Sequence, residues 1–189
     1  EGALRDDLDA HAPRRMAVID PLKLVLTNLD ATHEEALVFA NHPKDEAAGS
    51  RGVPFSRELW IEREDFAEVP PPGFKRLTVG FEVRLRGAGI IRCDEAIKDA
   101  DGRVVELHGT LDPESRPGME GANRKVKGTI HWVSATHGVP AEIRLYDRLF
   151  TVADPDNDEG GKTYVDYLNP DSRKVVTGYV EPAAAQAAN

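Results

Sequence analysis

A single cysteine, two tryptophans and an aromatic content of 6% leave this 189-residue chain poor in the residues that staple or anchor small domains. With only Cys93 present, neither a disulfide framework nor a cysteine-based zinc site is available, which fits a reducing, cytoplasmic location. No apolar run approaches the roughly 18 residues that a membrane helix needs, and the N-terminus lacks the apolar core of a signal peptide, so no membrane partner is expected. Positive charge is also short. Lys and Arg number 24 against 33 Asp and Glu, a formal net charge of −9, so the protein cannot coat a polyanion through its overall field; any such partner must be met by a local patch. The chain opens at Glu1 without a methionine, inside a helical pattern, and stops in "AAAQAAN", as expected of a piece of a larger protein.

Catalytic signatures are missing too. "GAGIIR" lacks the third glycine of a dinucleotide fingerprint, and there is no phosphate loop. "DPDNDEGG" places Asp154, Asp156 and Asp158 at alternate positions like a calcium loop, but Glu159 stands where that loop needs glycine and Val165 where it needs a bidentate Glu, so it reads as an acidic turn. His131, Ser134 and His137 lie close together without a nucleophile elbow or metal-ligand spacing, and His131 is expected to be a strand residue beside a buried Trp132. No catalytic residue and no metal site is expected.

What is present is period-2 patterning. Leu4 and Leu8 mark one short N-terminal helix that Pro13 should stop near Ala12. After it come short β-branched or aromatic segments, among them "PLKLVLTNL", "ELWIERE", "RVVELHGTL", "AEIRLYDRLF", "KTYVDYL" and "KVVTGYV", separated by turn signals such as "ADGR" and "HGVP". Many short strands at close spacing imply an all-β fold of sandwich or barrel type. In "KRLTVGFEVRLR" (75–86), read as one strand, Leu77, Val79, Phe81, Val83 and Leu85 face the core while Arg76, Arg84 and Arg86 line the other face. Residues 72–92 hold five cations against Glu82 alone, and 124–148 hold five against Glu142 and Asp147. A solvated strand face gives the same alternation. The excess of Arg favours phosphate or base recognition, because the planar fork matches those groups bidentately.

The stretches "APRRMAVIDPLKLVLTN" (12–28), "NHP" (41–43), "VPFSRELWIEREDF" (53–66), "FKRLTVGFEVRLRGAGIIR" (74–92) and "RKVKGTIHWVSATHGVPAEIRLYDRLF" (124–150) together resemble the C-terminal anticodon-binding region of bacterial-type glutaminyl-tRNA synthetases. The resemblance implies two antiparallel β-barrels after the end of a helical connector (1–16): a proximal barrel from 17–69 plus 142–182, a distal barrel from 70–141, and a tail at 183–189. It implies that the anticodon loop of glutamine tRNA is contacted by Arg14 of "APR", Lys75 and Arg76 of "FKR", Arg84 and Arg86 of "RLR", and Lys44 after "NHP", with Glu64 on a loop away from the RNA. Arg84 and Arg86 would then be partners at one surface. The ATP- and Mg²⁺-dependent ligation would lie in a catalytic domain of the same, monomeric, protein, whose "HIGH" and "KMSKS" type motifs are absent here; no cofactor is expected in this region. The family continues beyond this point with a "QFER-GYF" type segment that adds a Gln and an Arg to recognition of the middle base. The equivalent region of a glutamyl-tRNA synthetase, and a freestanding barrel similar to the ribosomal protein that binds 5S rRNA, remain open as alternatives.

Overall fold

A computed structural model describes residues 2–156 and 161–186. Helix α1 (Gly2–His11) stops just before Pro13, as the sequence requires, and the short α2 (Pro182–Gln186) opens the alanine-rich tail. Asp158 and Glu159 of the acidic turn, and the last three residues of the tail, lie outside the described residues.

Between the helices the chain is mainly strand: β1 (Ala17–Val18), β2 (Pro21–Leu26), β3 (Glu34–Ala40), β4 (Ser50–Ser56), β5 (Glu58–Glu62), β6 (Glu82–Leu85), β7 (Gly89–Lys98), β8 (Val104–Asp112), β9 (Thr129–Ile130), β10 (Val133–Ser134), β11 (Val139–Tyr146) and β12 (Arg173–Val180). Seven of them form one curled half-barrel sheet in the order β10-β5-β2-β8-β7-β6-β9. Strand β2, with Leu22, Leu24, Val25 and Leu26 all buried, takes a central place, parallel to β8 and antiparallel to β5. The edge strands β9 and β10 are successive stretches of one segment, 129–134, so the chain itself spans the two edges of the curl. A three-stranded sheet, β1-β12-β11, and the hairpin β3-β4 complete the architecture.

Of the two antiparallel β-barrels expected from the resemblance, the described residues show a mostly β chain with one curled half-barrel sheet. The β2–β8 ladder pairs a strand from 17–69 with one from 70–141. Two segments depart from the period-2 reading. "KTYVDYL" forms a 3₁₀ turn at Tyr164–Tyr167, because the Asp166 carboxylate accepts from the Thr163 backbone N–H at 2.8 Å and closes the chain locally. The 75–86 strand is interrupted: Gly80 has φ +83°, which turns the chain and exposes Val79 and Phe81, so that only Glu82–Leu85 joins the ladder.

The core centres on Trp132, fully buried, with Phe55 edge-on at 5.1 Å and Phe39 at 6.3 Å between ring centroids. Trp60 of β5 stacks on Tyr179 of β12 at 4.9 Å, joining the large sheet to the three-stranded one. Truncation in the core should therefore be costly. Phe55→Ala is expected to lower unfolding free energy by about 3–5 kcal/mol in a urea titration. Val38→Thr, at a residue 79% exposed on β3, should stay within about 0.5 kcal/mol.

Cys93 is buried in the same core, and burial, with Asp94 adding to it, pushes its thiol up to about 11. An acid raised in the folded state contributes stability that is complete below its ordinary range and is lost as pH rises through the folded value. Near pH 8 the thiol is expected to resist a disulfide reagent in the native protein and to react promptly in urea; fast native reaction would contradict its placement.

Candidate nucleic-acid interface

Arg14 follows α1 directly, where the last helical carbonyls have no partner inside the helix. Its guanidinium donates to the carbonyls of Leu8, Asp9 and Ala12 and to Asp9 Oδ1 at 2.6 Å. Lys44 Nζ reaches Asp9 Oδ2 at 2.7 Å, and the pair holds the Asp9 carboxyl below its usual range, Lys44 being the larger cause and Arg14 a further one. Buried His42 braces this junction: its Nε2 lies 3.1 Å from the Asp9 carbonyl, and its Nδ1 accepts from the Lys44 N–H. Arg14 and Lys44 thus converge, but on a carboxylate of α1.

Beside them a cavity of about 610 Å³ gathers Arg14, Arg15, Arg51, Arg86 and His131 against the wall of Phe39. Each cation is set by backbone or by a buried partner. Trp132 Nε1 donates to the Arg86 carbonyl at 3.0 Å and the Arg86 N–H donates to Ile130, so the core tryptophan fixes the strand end that carries Arg86. Arg51 forks onto Glu181, Nε to Oε1 at 2.6 Å and Nη2 to Oε2 at 3.1 Å, and its guanidinium lies 5.7 Å from the Phe39 ring centroid. Arg15 Nη1 donates to Asn41 Oδ1, and its Nε stands 3.7 Å from Glu181 Oε1.

Arg84 and Arg86, two residues apart, border different cavities. Arg84 lines a neighbouring cavity of about 470 Å³ with Ser115 and Asn123, and Gly87 borders both cavities. Arg84 Nη2 donates to the Arg124 carbonyl, while Arg124 is held by Glu82 at 2.7 Å and Asp112 at 2.9 Å. Arg76 is elsewhere and occupied: Nη1 lies 2.7 Å from Asp65 and 3.0 Å from Glu64. Glu64 is therefore no neutral bystander, since it anchors one of the expected contacts. Burial raises the Asp65 carboxyl, and the Arg76 charge opposes that rise. Lys75 lies with Phe74 and Lys127 around a third cavity, of about 450 Å³.

Sequence reasoning missed Arg15, Arg51 and His131. His131 is not in a strand but in the link between β9 and β10, with Nε2 2.8 Å from the Ala17 carbonyl. It forms no triad with its neighbours: Ser134 Oγ pairs with Ser56 Oγ at 2.7 Å, and the His137 ring faces Glu34. Much of the basic character of the two cationic segments is met locally, by Asp94 on Arg92, Glu82 on Arg124 and Glu142 on Arg144. Arg86 has no carboxylate partner among the described residues.

A model of the family described as tRNA synthetases class I (E and Q), anti-codon binding domain, matches residues 12–112, and a second model of the same description matches 129–189. The chain belongs to this family of anticodon-binding domains. It is 75% identical over 188 residues to a glutamine–tRNA ligase of Xanthomonas euvesicatoria pv. vesicatoria (strain 85-10), and 69% identical over the same length to one of Xylella fastidiosa (strain M12). Each alignment covers 100% of this chain and 32% of the relative, so the chain spans about a third of the length of the curated relatives it matches.

Within this anticodon-binding domain the Glu181 side chain is 1% exposed and faces two arginines of the cavity. Glu181→Gln strands the Arg51 charge in a largely buried place, with an expected loss of about 3–5 kcal/mol. A urea midpoint unchanged by the substitution would show that the pair carries no such weight.

Proposed function

We propose that this chain reads the anticodon loop of glutamine tRNA, and so selects the tRNA onto which the full-length ligase loads glutamine. The observation that carries the reading is the arginine cavity with its Phe39 wall. It combines guanidinium forks for base edges and phosphates with an aromatic face, the chemistry suited to a splayed single-stranded loop. Arg86 is its leading contact, because the core fixes its backbone while its side chain has no carboxylate to leave. Arg84 meets an adjoining nucleotide in the neighbouring cavity. Arg14, Lys44 and Arg76 reach RNA by exchanging Asp9, Glu64 or Asp65 for phosphate, and Lys75 approaches from the third cavity. On this reading ATP and Mg²⁺ serve a catalytic domain of the same protein, which works as a monomer in the cytoplasm, and the present chain alone does not activate glutamine.

The test is binding of cognate glutamine tRNA, and of transcripts with single anticodon changes, by the full-length protein at two salt concentrations. Arg86→Ala is expected to cost about 1–3 kcal/mol on the cognate tRNA and to relax discrimination at one base. Asp101→Asn serves as control, because β7 carries the chain roughly 30 Å from Gly89 to the turn where Asp101 sits. Equal binding of cognate and variant tRNA by parent and Arg86→Ala alike would defeat the reading.

A further inference from the structure

Phe81 belongs to none of the contacts above, yet it stands out on an acidic protein. The Gly80 turn swings it from the core row of β6 to the surface, where it is 54% exposed. Lys127 Nζ lies 5.7 Å from its ring centroid, within the range of a cation–π contact. Lys127 also borders two cavities, one of about 180 Å³ with Phe74, Arg76 and Phe81, the other of about 450 Å³ with Phe74 and Lys75. Among the described residues neither Lys75 nor Lys127 has a carboxylate within ion-pair distance, because the nearby ones are engaged: Glu82 on Arg124, and Glu64 and Asp65 on Arg76. Lys127 thus stands as an uncompensated ammonium group beside an exposed phenyl ring, and Lys75, equally uncompensated, shares a cavity with Lys127 and Phe74. Their spacing is built in. A Cβ on Gly128 would lie 1.9 Å from the Lys75 carbonyl oxygen, so the two backbones touch where only glycine fits, and the Gly128 carbonyl accepts from the Arg84 N–H at 2.9 Å.

Building on the tRNA reading above, we infer that Phe81, Lys75 and Lys127 form a stacking platform for one unpaired nucleobase of the bound tRNA, the lysines engaging its phosphate. A face-accessible ring takes any base on its π surface, and the ammonium groups supply the charge that an acidic chain otherwise withholds from RNA. A paired stem offers no free base face, which directs the platform to a loop nucleotide.

The experiment uses the full-length protein and glutamine tRNA transcripts carrying 2-aminopurine at each unpaired anticodon-loop position in turn. At one position binding should quench the fluorescence with the parent and with Phe81→Tyr, but not with Phe81→Leu, which should also bind roughly ten-fold more weakly, the order that one base–aromatic stack supplies. Lys127→Gln should reduce the slope of log affinity against log salt by about 0.7, one counterion released from a single strand. Parent-like quenching and affinity in Phe81→Leu, with Arg86→Ala still impaired, would overturn the platform and leave the anticodon reading standing. Equal losses in Phe81→Leu and Phe81→Tyr would overturn it as well, since they indicate a packing defect. If neither Phe81→Leu nor Arg86→Ala affects binding, the platform and the anticodon reading fall together.

Discussion

A carboxylate with almost no access to water must find its compensation inside the protein, and Glu181 finds it in Arg51. The pair is bidentate, which fixes the orientation of both groups as well as their separation. It joins the end of β12 to β4, residues 130 positions apart, while the Glu181 N–H donates to the Met16 carbonyl and so adds the segment that leads from α1 into β1. Three pieces, the three-stranded sheet, the β3-β4 hairpin and the turn carrying Arg14 and Arg15, meet at this pair, and the Arg14 N–H adds a bond to the Asn41 carbonyl at 2.7 Å. The cavity proposed to meet RNA forms at that junction. Its shape depends on a charge that RNA need not touch.

How much of this was legible in the sequence depends on the range of the cause. The alternation in "RVVELHGTL" follows from side chains taking opposite faces, and β8 accordingly buries Leu107 and Leu111. Pro13 closing α1 is equally local. The same rule failed at Val79 and Phe81, because one glycine in a positive-φ conformation interrupts the alternation between buried Leu77 and buried Val83, and a period count treats Gly80 as merely another position. In "KTYVDYL" a side-chain-to-backbone bond between Asp166 and Thr163 outweighed strand patterning.

The site divides along the same line. The spacing of arginines in "EVRLR" was visible, yet Arg84 and Arg86 border different cavities, since what surrounds each side chain comes from distant segments, Ser115 and Asn123 for one, Phe39 and His131 for the other. Arg51 carried no signal, because its place beside Arg86 follows from strand pairing and from Glu181. Nor can a sequence pattern show which cations are already occupied. Arg76 and Arg124 look as available as Arg86 until Asp65, Glu64, Glu82 and Asp112 are placed around them.

That occupancy gives meaning to the excess of acid. Lysines and arginines bound to neighbouring carboxylates add little to the field seen by an approaching polyanion, and a net charge of −9 repels it once it comes within about a Debye length of the surface. Non-specific affinity for RNA, which grows with the number of phosphates neutralised, is thereby kept low. Attraction is confined to places where a cation lacks a partner, and at Arg86, Lys75 and Lys127 such a cation stands near an aromatic ring: Phe39 across the cavity from Arg86, Phe74 and Phe81 beside the lysines. A nucleotide gains there only if both its phosphate and its base are free to engage, a condition met by an unstacked loop and unmet by a duplex. On the proposed reading, the distribution of carboxylates acts as a filter for RNA conformation before any base edge is read.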